Sequence, residues 1–145
     1  MCYELILSTT SSDDLSQFND EGIRFDNSHL ERRSFSHLLY PDKWYICSRT
    51  GCSCSFRHLY EPNQGFGVPD EWAPENEADI EATLKFIRLV RSLIARGERV
   101  DCVDLWAGSE ASPGPPVRMD VDLRNIRDEE FRFFENYHFD FLPGE

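Results

Sequence analysis

The stretch that decides the fold runs from Asn76 to Ala107, NEADIEATLKFIRLVRSLIARGERVDCVDLWA. Its first part places apolar residues on one helical face, which predicts a helix over residues 76–96. The residues on that face are Ile80, Leu84, Ile87, Val90, Leu93 and Ile94. Asn76 can cap the start of this helix, and Gly97 suits the left-handed position that ends one. Residues 99–107 are typical of a strand, so a strand directly follows the helix.

Alternation of apolar and polar residues predicts further strands on both sides of this unit. Residues 2–8 form the first predicted strand, and residues 23–25 form a short second one. Residues 43–60 are predicted to form a hairpin. After the helix, residues 117–123 and 131–141 alternate with a period of two, which predicts a strand pair at the C-terminal end.

A second, short helix is expected after Ser11 or Ser12, with Leu15 and Phe18 pointing inward. Strands mixed with two helices favour an α+β fold, in which the helices pack on one face of a mainly antiparallel sheet. The order of elements approaches a split β-α-β unit with an extra strand and a C-terminal strand pair. Because no internal repeat or boundary is present, residues 1–145 are expected to form a single domain.

The charge balance constrains the partners of the chain. Its 145 residues include 27 acidic and 15 basic side chains, a formal net charge of −12. Such a surface repels phosphate backbones, so nucleic acids and anionic membranes are not expected as partners. A basic protein or a cation is compatible with this charge, and the aromatic C-terminal strands are compatible with the edge of a homodimer. The start MCYELILSTT lacks a basic region, so a cytoplasmic location with reduced thiols is expected.

The stretch CSRTGCSC, residues 47–54, holds three of the five cysteines of the chain. If Thr50-Gly51 is a two-residue turn, Cys47 lies opposite Cys54 across a hairpin. Cys52 then shares a face with Cys54, and His58 lies further along the same face. This register predicts that the three thiols converge at the tip of the hairpin.

Converging thiolates are ligands for zinc or Cu(I), and a zinc site usually has four ligands. The predicted metal site therefore contains Cys47, Cys52 and Cys54, and its fourth ligand is His58, Cys102 or Cys2. The spacing C-x4-C-x-C differs from the usual C-x2-C zinc motif. Zinc is accordingly the expected cofactor if the cysteines bind a metal at all.

Two other interpretations of the cysteines stay open. Free cysteine is often a small buried hydrophobe, so the cluster can be ordinary core. Alternatively, Cys47 and Cys54 can form a disulfide on oxidation, which predicts a thiol redox sensor. In that case Arg49 or Arg57 would lower the pKa of a nearby thiol.

The remaining polar residues suggest weaker sites. His138 and Asp140 alternate on one strand face and can form either a tuned base or an ordinary polar surface. The four aspartates of two neighbouring strands are assigned to a solvated face of mixed charge: Asp101, Asp104, Asp120 and Asp122. Phe66 and Trp72, in a loop rich in Gly and Pro, are predicted to form a protein-interaction patch.

No catalytic motif is found in the chain, because it has no G-x-S-x-G and its GFG lacks the lysine of a phosphate-binding loop. Three functional hypotheses remain. The chain is a small acidic protein that binds a thiophilic metal, a non-enzymatic inhibitor or escort of a basic partner, or a thiol redox sensor.

Overall fold

The computed structural model of the protein describes residues 3–27, 37–48, 53, 55–59, 65–68, 75–106 and 116–143. In these residues a long α-helix lies against a six-stranded sheet, and two very short strands form a second sheet. The elements are β1 (Tyr3–Thr9), β2 (Ile23–Asp26), β3 (Asp42–Ser48), β4 (His58–Leu59), α1 (Glu77–Ala95), β5 (Val100–Trp106), β6 (Val117–Val121), β7 (Phe133–Phe134) and β8 (Tyr137–Phe141). Short 3-10 helices span Leu15–Phe18 and Asp128–Glu130.

The large sheet has the strand order β2-β3-β1-β5-β8-β6, so β1 and β5 lie at its centre. Neighbouring strands are antiparallel, except that β6 and β8 run parallel. The small sheet pairs β4 and β7 in parallel. A mostly antiparallel sheet packed against a helix confirms the predicted α+β class.

The helix α1 begins and ends as its sequence predicts. The side chain of Asn76 accepts a hydrogen bond from the N–H of Ala78 at 2.8 Å. Gly97 follows the helix with φ of 88°, a conformation that glycine adopts at little cost. The buried face of the helix comprises Ala82, Thr83, Phe86, Ile87, Leu89, Val90, Leu93 and Ile94. Among the described residues, no helix has the length and apolarity needed to cross a membrane.

Both faces of the large sheet are covered, and the period of two decides which side chains lie on each. The helix side, which packs against α1, includes Leu5, Leu7 and Cys102. The opposite face, called the far side, includes Ile6 and Val103. The central strands therefore carry apolar side chains on both faces of the sheet. Aromatic rings supply much of the helix-side core: Phe86, Phe131, Phe133, Phe139 and Phe141.

The predicted 43–60 hairpin agrees with the structure only in its first arm, which is β3. β3 lies between β1 and β2, and its pairing with β2 extends to Ser48. The second arm pairs elsewhere, because His58-Leu59 lies parallel to Phe133-Phe134 of β7. Thr50-Gly51, the predicted turn, lies outside the described residues.

Two other local predictions differ from the structure. The predicted strand over 131–141 is divided into β7 and β8, because the chain turns at Asn136 with φ of 60°. The short helix is a single four-residue 3-10 turn, capped by Asp14 rather than by a serine. Leu15 is buried there as predicted, but Phe18 is 43% exposed.

Candidate functional site

The central strand β5 carries two aspartates that are completely buried, Asp101 and Asp104. Their side chains lie on opposite faces of the sheet, and each contacts a histidine from another part of the chain. His138 of β8 pairs with Asp101 on the far side, and His58 of β4 pairs with Asp104 on the helix side. A buried carboxylate is costly unless it is paired and hydrogen-bonded, which both histidines provide.

On the far side, Asp101 orients the imidazole of His138. Nε2 of His138 lies 2.7 Å from Oδ2 of Asp101. The same oxygen accepts a hydrogen bond from the N–H of Leu39 at 3.0 Å, and Oδ1 accepts one from the hydroxyl of Ser8. Because the carboxylate acts as the acceptor for these groups, Nε2 carries a proton in this contact. In the neutral ring the lone pair is then on Nδ1, which has no hydrogen-bond partner among the described residues.

Asp140, the cross-strand neighbour of Asp101, forms the second acidic centre on the far side. It accepts hydrogen bonds from the hydroxyl of Tyr40 at 3.0 Å and from Arg118 at 3.0 Å. Arg99 approaches both oxygens of Asp140 at 3.4 Å. Burial and the bond to Asp140 raise the pKa of Tyr40 to about 12. Tyr40 is therefore a hydrogen-bond donor at neutral pH.

These residues form a defined group, called the far-side cluster: Ser8, Tyr40, Asp101, His138 and Asp140. The segment 37–40 covers the cluster, because Leu38 packs on the far-side core and the N–H of Tyr40 donates to Ser8. At the rim, burial and the charge of His138 lower the pKa of His37. The side chain of His138 is 7% exposed, whereas that of Arg118 is 57% exposed. The cluster thus has a buried imidazole and a solvent-exposed arginine at its rim.

On the helix side, His58 connects β5 with Ser53. Nδ1 of His58 lies 2.8 Å from Oδ2 of Asp104, and Nε2 lies 2.8 Å from the carbonyl oxygen of Ser53. Burial lowers the pKa of His58, but its contacts with Asp104 and Ser53 outweigh that effect and raise it overall. Burial also raises the pKa of Asp104, although His58 opposes this change.

Ser53 in turn connects the ends of two strands. Its hydroxyl donates to the carbonyl of Ile46 on β3 and accepts from the N–H of Leu5 on β1 at 3.0 Å. Ser53 is completely buried. The Asp104–His58–Ser53 chain therefore links β5 to the place where the pairing of β1 with β3 ends.

The structure does not bring the predicted metal ligands together where it describes them. Cys47 lies on the far side of β3 and Cys102 on the helix side of β5, so the two thiols cannot bind one ion. Both ring nitrogens of His58 are engaged in hydrogen bonds, so it has no nitrogen left for a metal. Cys52 and Cys54 lie outside the described residues. Within the described part of the chain, no group of three or more His, Cys, Asp or Glu side chains could hold a metal ion.

The predicted roles of Arg57 and Phe66 also differ from the structure. The guanidinium of Arg57 is buried and bonded to Glu75, so it is not directed at a thiol. Burial raises the pKa of the Cys102 thiol well above its ordinary value, which makes Cys102 an unreactive core residue. Phe66 stacks on Phe131 and Phe134 at centroid distances of 5.5 and 5.0 Å. It is part of the aromatic core rather than an exposed patch, and Trp72 lies outside the described residues.

Sequence reasoning missed the two His–Asp pairs because their members are far apart in the chain. It placed His138 beside Asp140 and assigned Asp101 and Asp104 to a solvated surface. One signal for the pairs is present in β5, VDCVDLW, whose other residues are mostly apolar on both faces. An aspartate in a strand that is buried on both sides needs a partner.

Comparison of the chain with protein-family models, curated proteins and solved structures finds no match. Its function is therefore inferred from the geometry of its own residues.

Proposed function

We propose that the protein binds a small anionic molecule at the far-side cluster and exchanges a proton with it through His138. The observation that carries this proposal is the contact between Nε2 of His138 and Asp101, together with an Nδ1 that has no partner in the described part of the chain. A carboxylate behind a histidine fixes the tautomer and orients the ring, which is how general bases are held in place. The polar atoms that position the ring are buried, so its orientation is set before a ligand binds.

The rim of the cluster supports an anionic ligand. The side chain of Arg118 is 57% exposed. One of its nitrogens donates to Asp140 and its Nε lies 3.8 Å from Asp120, which leaves other N–H groups for a ligand. Nε of Arg99 is buried and has no hydrogen-bond partner among the described residues. Charge-assisted hydrogen bonds from guanidinium groups to carboxylates or phosphates are strong and directional. Because the whole chain carries a net charge of −12, an anion needs such a local cationic site.

The arrangement differs from a serine-nucleophile triad. In such a triad the histidine lies between the serine and the carboxylate, so that it can remove the hydroxyl proton. Here Asp101 lies between Ser8 and His138, and the Ser8 hydroxyl donates to the carboxylate. Ser8 is therefore a positioning residue, and His138 would act directly on the ligand or on a water molecule.

The proposal predicts that small anions perturb His138 and depend on Arg118. In ¹⁵N NMR spectra at neutral pH, we expect neutral His138 to carry its proton on Nε2. Titration with acetate, citrate or inorganic phosphate should shift the His138 ring resonances for at least one anion. Arg118→Gln should lower the affinity for that anion about tenfold or more, because a hydrogen bond to a charged group is worth about 1.5–3 kcal/mol.

The control for this titration is Arg88→Gln on α1, since the side chain of Arg88 is similarly exposed, at 62%. It should leave the anion affinity unchanged. A proton found on Nδ1 of neutral His138 would contradict the geometry. The absence of any anion-dependent shift of His138 at millimolar concentrations would contradict the binding role.

A second proposal is that Cys47, Cys52 and Cys54 bind a thiophilic metal such as zinc. One observation favours it: the hydroxyl of Ser53 bonds to the carbonyl of Ile46, the residue before Cys47. Ser53 stands between Cys52 and Cys54 in the sequence. His58 and Cys102 are not ligands in this version of the site.

The metal proposal predicts zinc in freshly purified, reduced protein. Cys52→Ser combined with Cys54→Ser should remove that zinc, whereas Cys102→Ser, on the opposite face of the sheet, should retain it. Elemental analysis of the three proteins measures the metal content. If the reduced wild-type protein contains no stoichiometric metal, the metal proposal is wrong.

A further inference from the structure

We propose that His58 and Asp104 form a two-proton lock that fastens Ser53 and residues 55–58 to β5 and opens when the pair loses one proton. This lock is independent of the proposed far-side function, because it lies on the helix side of the sheet and involves a different histidine. The lock would make the attachment of this segment sensitive to rising pH. The contact between His58 and Asp104 would then have a regulatory role in addition to a structural one.

The chemistry of the two contacts requires two protons. The carbonyl oxygen of Ser53 can only accept a hydrogen bond, so Nε2 of His58 must carry a proton at 2.8 Å. On the other side, Nδ1 of His58 faces Oδ2 of Asp104 at 2.8 Å, and this contact also needs a proton between its atoms. Whether that second proton belongs to the imidazole or to the carboxyl group, the pair holds two in total. With one proton fewer, one of the two contacts becomes a repulsion between lone pairs.

The surroundings keep these protons in place. The side chains of His58 and Asp104 are 6% and 0% exposed, and Oδ1 of Asp104 is buried without a hydrogen-bond partner among the described residues. The ring of Phe133 covers His58 at a centroid distance of 5.8 Å. The titratable groups that act on the pair or lie beside it are acidic or neutral: Asp79 of α1, Cys102 of β5, Glu135 before β8 and Tyr137 of β8. Among these groups, no cation competes with the bound proton.

The direction of the pH dependence follows from the two pKa values. Both are higher in the folded protein than their ordinary values of 6.5 for His58 and 3.8 for Asp104. The folded pair therefore binds more protons than the unfolded pair, so the lock weakens as pH rises. The contribution of His58 is fully present below pH 6.5 and is lost as pH rises through its raised pKa.

Amide hydrogen exchange tests the lock in the intact chain. Two amide protons report on the segment: the N–H of Leu5 donates to the hydroxyl of Ser53, and the N–H of Phe133 donates to the carbonyl of Arg57. Between pH 7 and pH 9.5, we expect their protection factors to fall about tenfold per pH unit once the pair begins to lose its proton. Amide protons in the middle of α1 should keep a flatter profile.

The matched variant is Asp104→Asn. Its amide can donate to Nδ1 while Nε2 donates to Ser53, so a neutral His58 satisfies both contacts at every pH. Protection of Leu5 and Phe133 should then be independent of pH over the same range. A flat wild-type profile, the same slope in Asp104→Asn, or an equal slope throughout α1 would each overturn the proposal.

A measurement on the wild-type protein keeps the test decisive if Asp104→Asn does not fold. Proton-coupled ¹⁵N spectra at pH 7 should show a proton on Nε2 of His58 and a second proton in its bond to Asp104. A single proton on the pair at pH 7 would overturn the lock.

Discussion

Arg57→Ala is expected to lower the free energy of unfolding by about 3–5 kcal/mol, the range for breaking a buried ion pair from one side. The side chain of Arg57 is 2% exposed. Its guanidinium contacts both carboxylate oxygens of Glu75 at 2.7 and 3.0 Å, and the carbonyl of Gly67 at 2.7 Å. It also donates to the carbonyls of Glu129 and Phe131 at 2.9 and 3.0 Å. Alanine would leave these acceptors without their donor.

Urea denaturation measures this loss against two reference variants. Arg57→Lys should recover only part of the stability, because an ammonium group cannot reproduce the planar fork that reaches five acceptors. Arg88→Ala should cost less than about 1 kcal/mol, since the contact between Arg88 and Asp128 is largely exposed. A loss below about 1 kcal/mol for Arg57→Ala would mean that water replaces the guanidinium, contrary to its burial.

Arg57 also shows why the 53–68 region resists prediction from sequence. Its contacts connect residues 10 to 74 positions away in the chain. The N–H of Arg57 bonds to Thr83 of α1, and its carbonyl accepts from Phe133 of β7. No local pattern of apolar residues records such contacts, so the neighbouring thiols suggested a hairpin and a thiol-activating role for this arginine.

Elements whose formation depends on local periodicity were predictable. The Asn76 cap and the terminal Gly97 adjoin the helix in sequence, and the structure confirms both. Of the predicted apolar face, Ile80 and Leu84 are only partly buried, whereas the other four residues are buried. Residues 2–8 and 99–107 were likewise predicted as strands, and the structure contains them as β1 and β5. The pairing partners of these strands could not be predicted, because β5 pairs with β1 and β8, which are far from it in the chain. A strand pattern indicates which face is apolar but not which strand lies beside it.

The candidate site could not be predicted because it depends on which strands are neighbours in the sheet. His138 and Asp140 lie on one face of β8, so a local argument pairs them with each other. The structure directs His138 to Asp101 and Asp140 to Tyr40 and Arg118, because neighbouring strands and the 37–40 segment supply closer partners. The sequence property with predictive value is the presence of two aspartates in an otherwise apolar central strand.

Asp101→Ala is expected to lower the free energy of unfolding by about 3–5 kcal/mol, because it removes the acceptor of three donors, two of them on buried side chains. These donors are the N–H of Leu39, the hydroxyl of Ser8 and Nε2–H of His138. The same change should remove the tautomer preference of His138, since no carboxylate then holds the proton on Nε2. Thermal or urea denaturation measures the first effect, and ¹⁵N NMR of the imidazole measures the second.

Asp101→Asn separates the hydrogen-bonding role of Asp101 from its charge. The amide oxygen can replace Oδ2 and keep the bonds to Leu39 and His138, while the amide nitrogen faces Ser8. We therefore expect a loss of only about 1 kcal/mol and an unchanged His138 tautomer. If Asp101→Ala and Asp101→Asn are equally stable, the carboxylate does not organise the far-side cluster. In that case the neutral tautomer of His138 would be set by another group, and Nδ1 would no longer be assigned as the base.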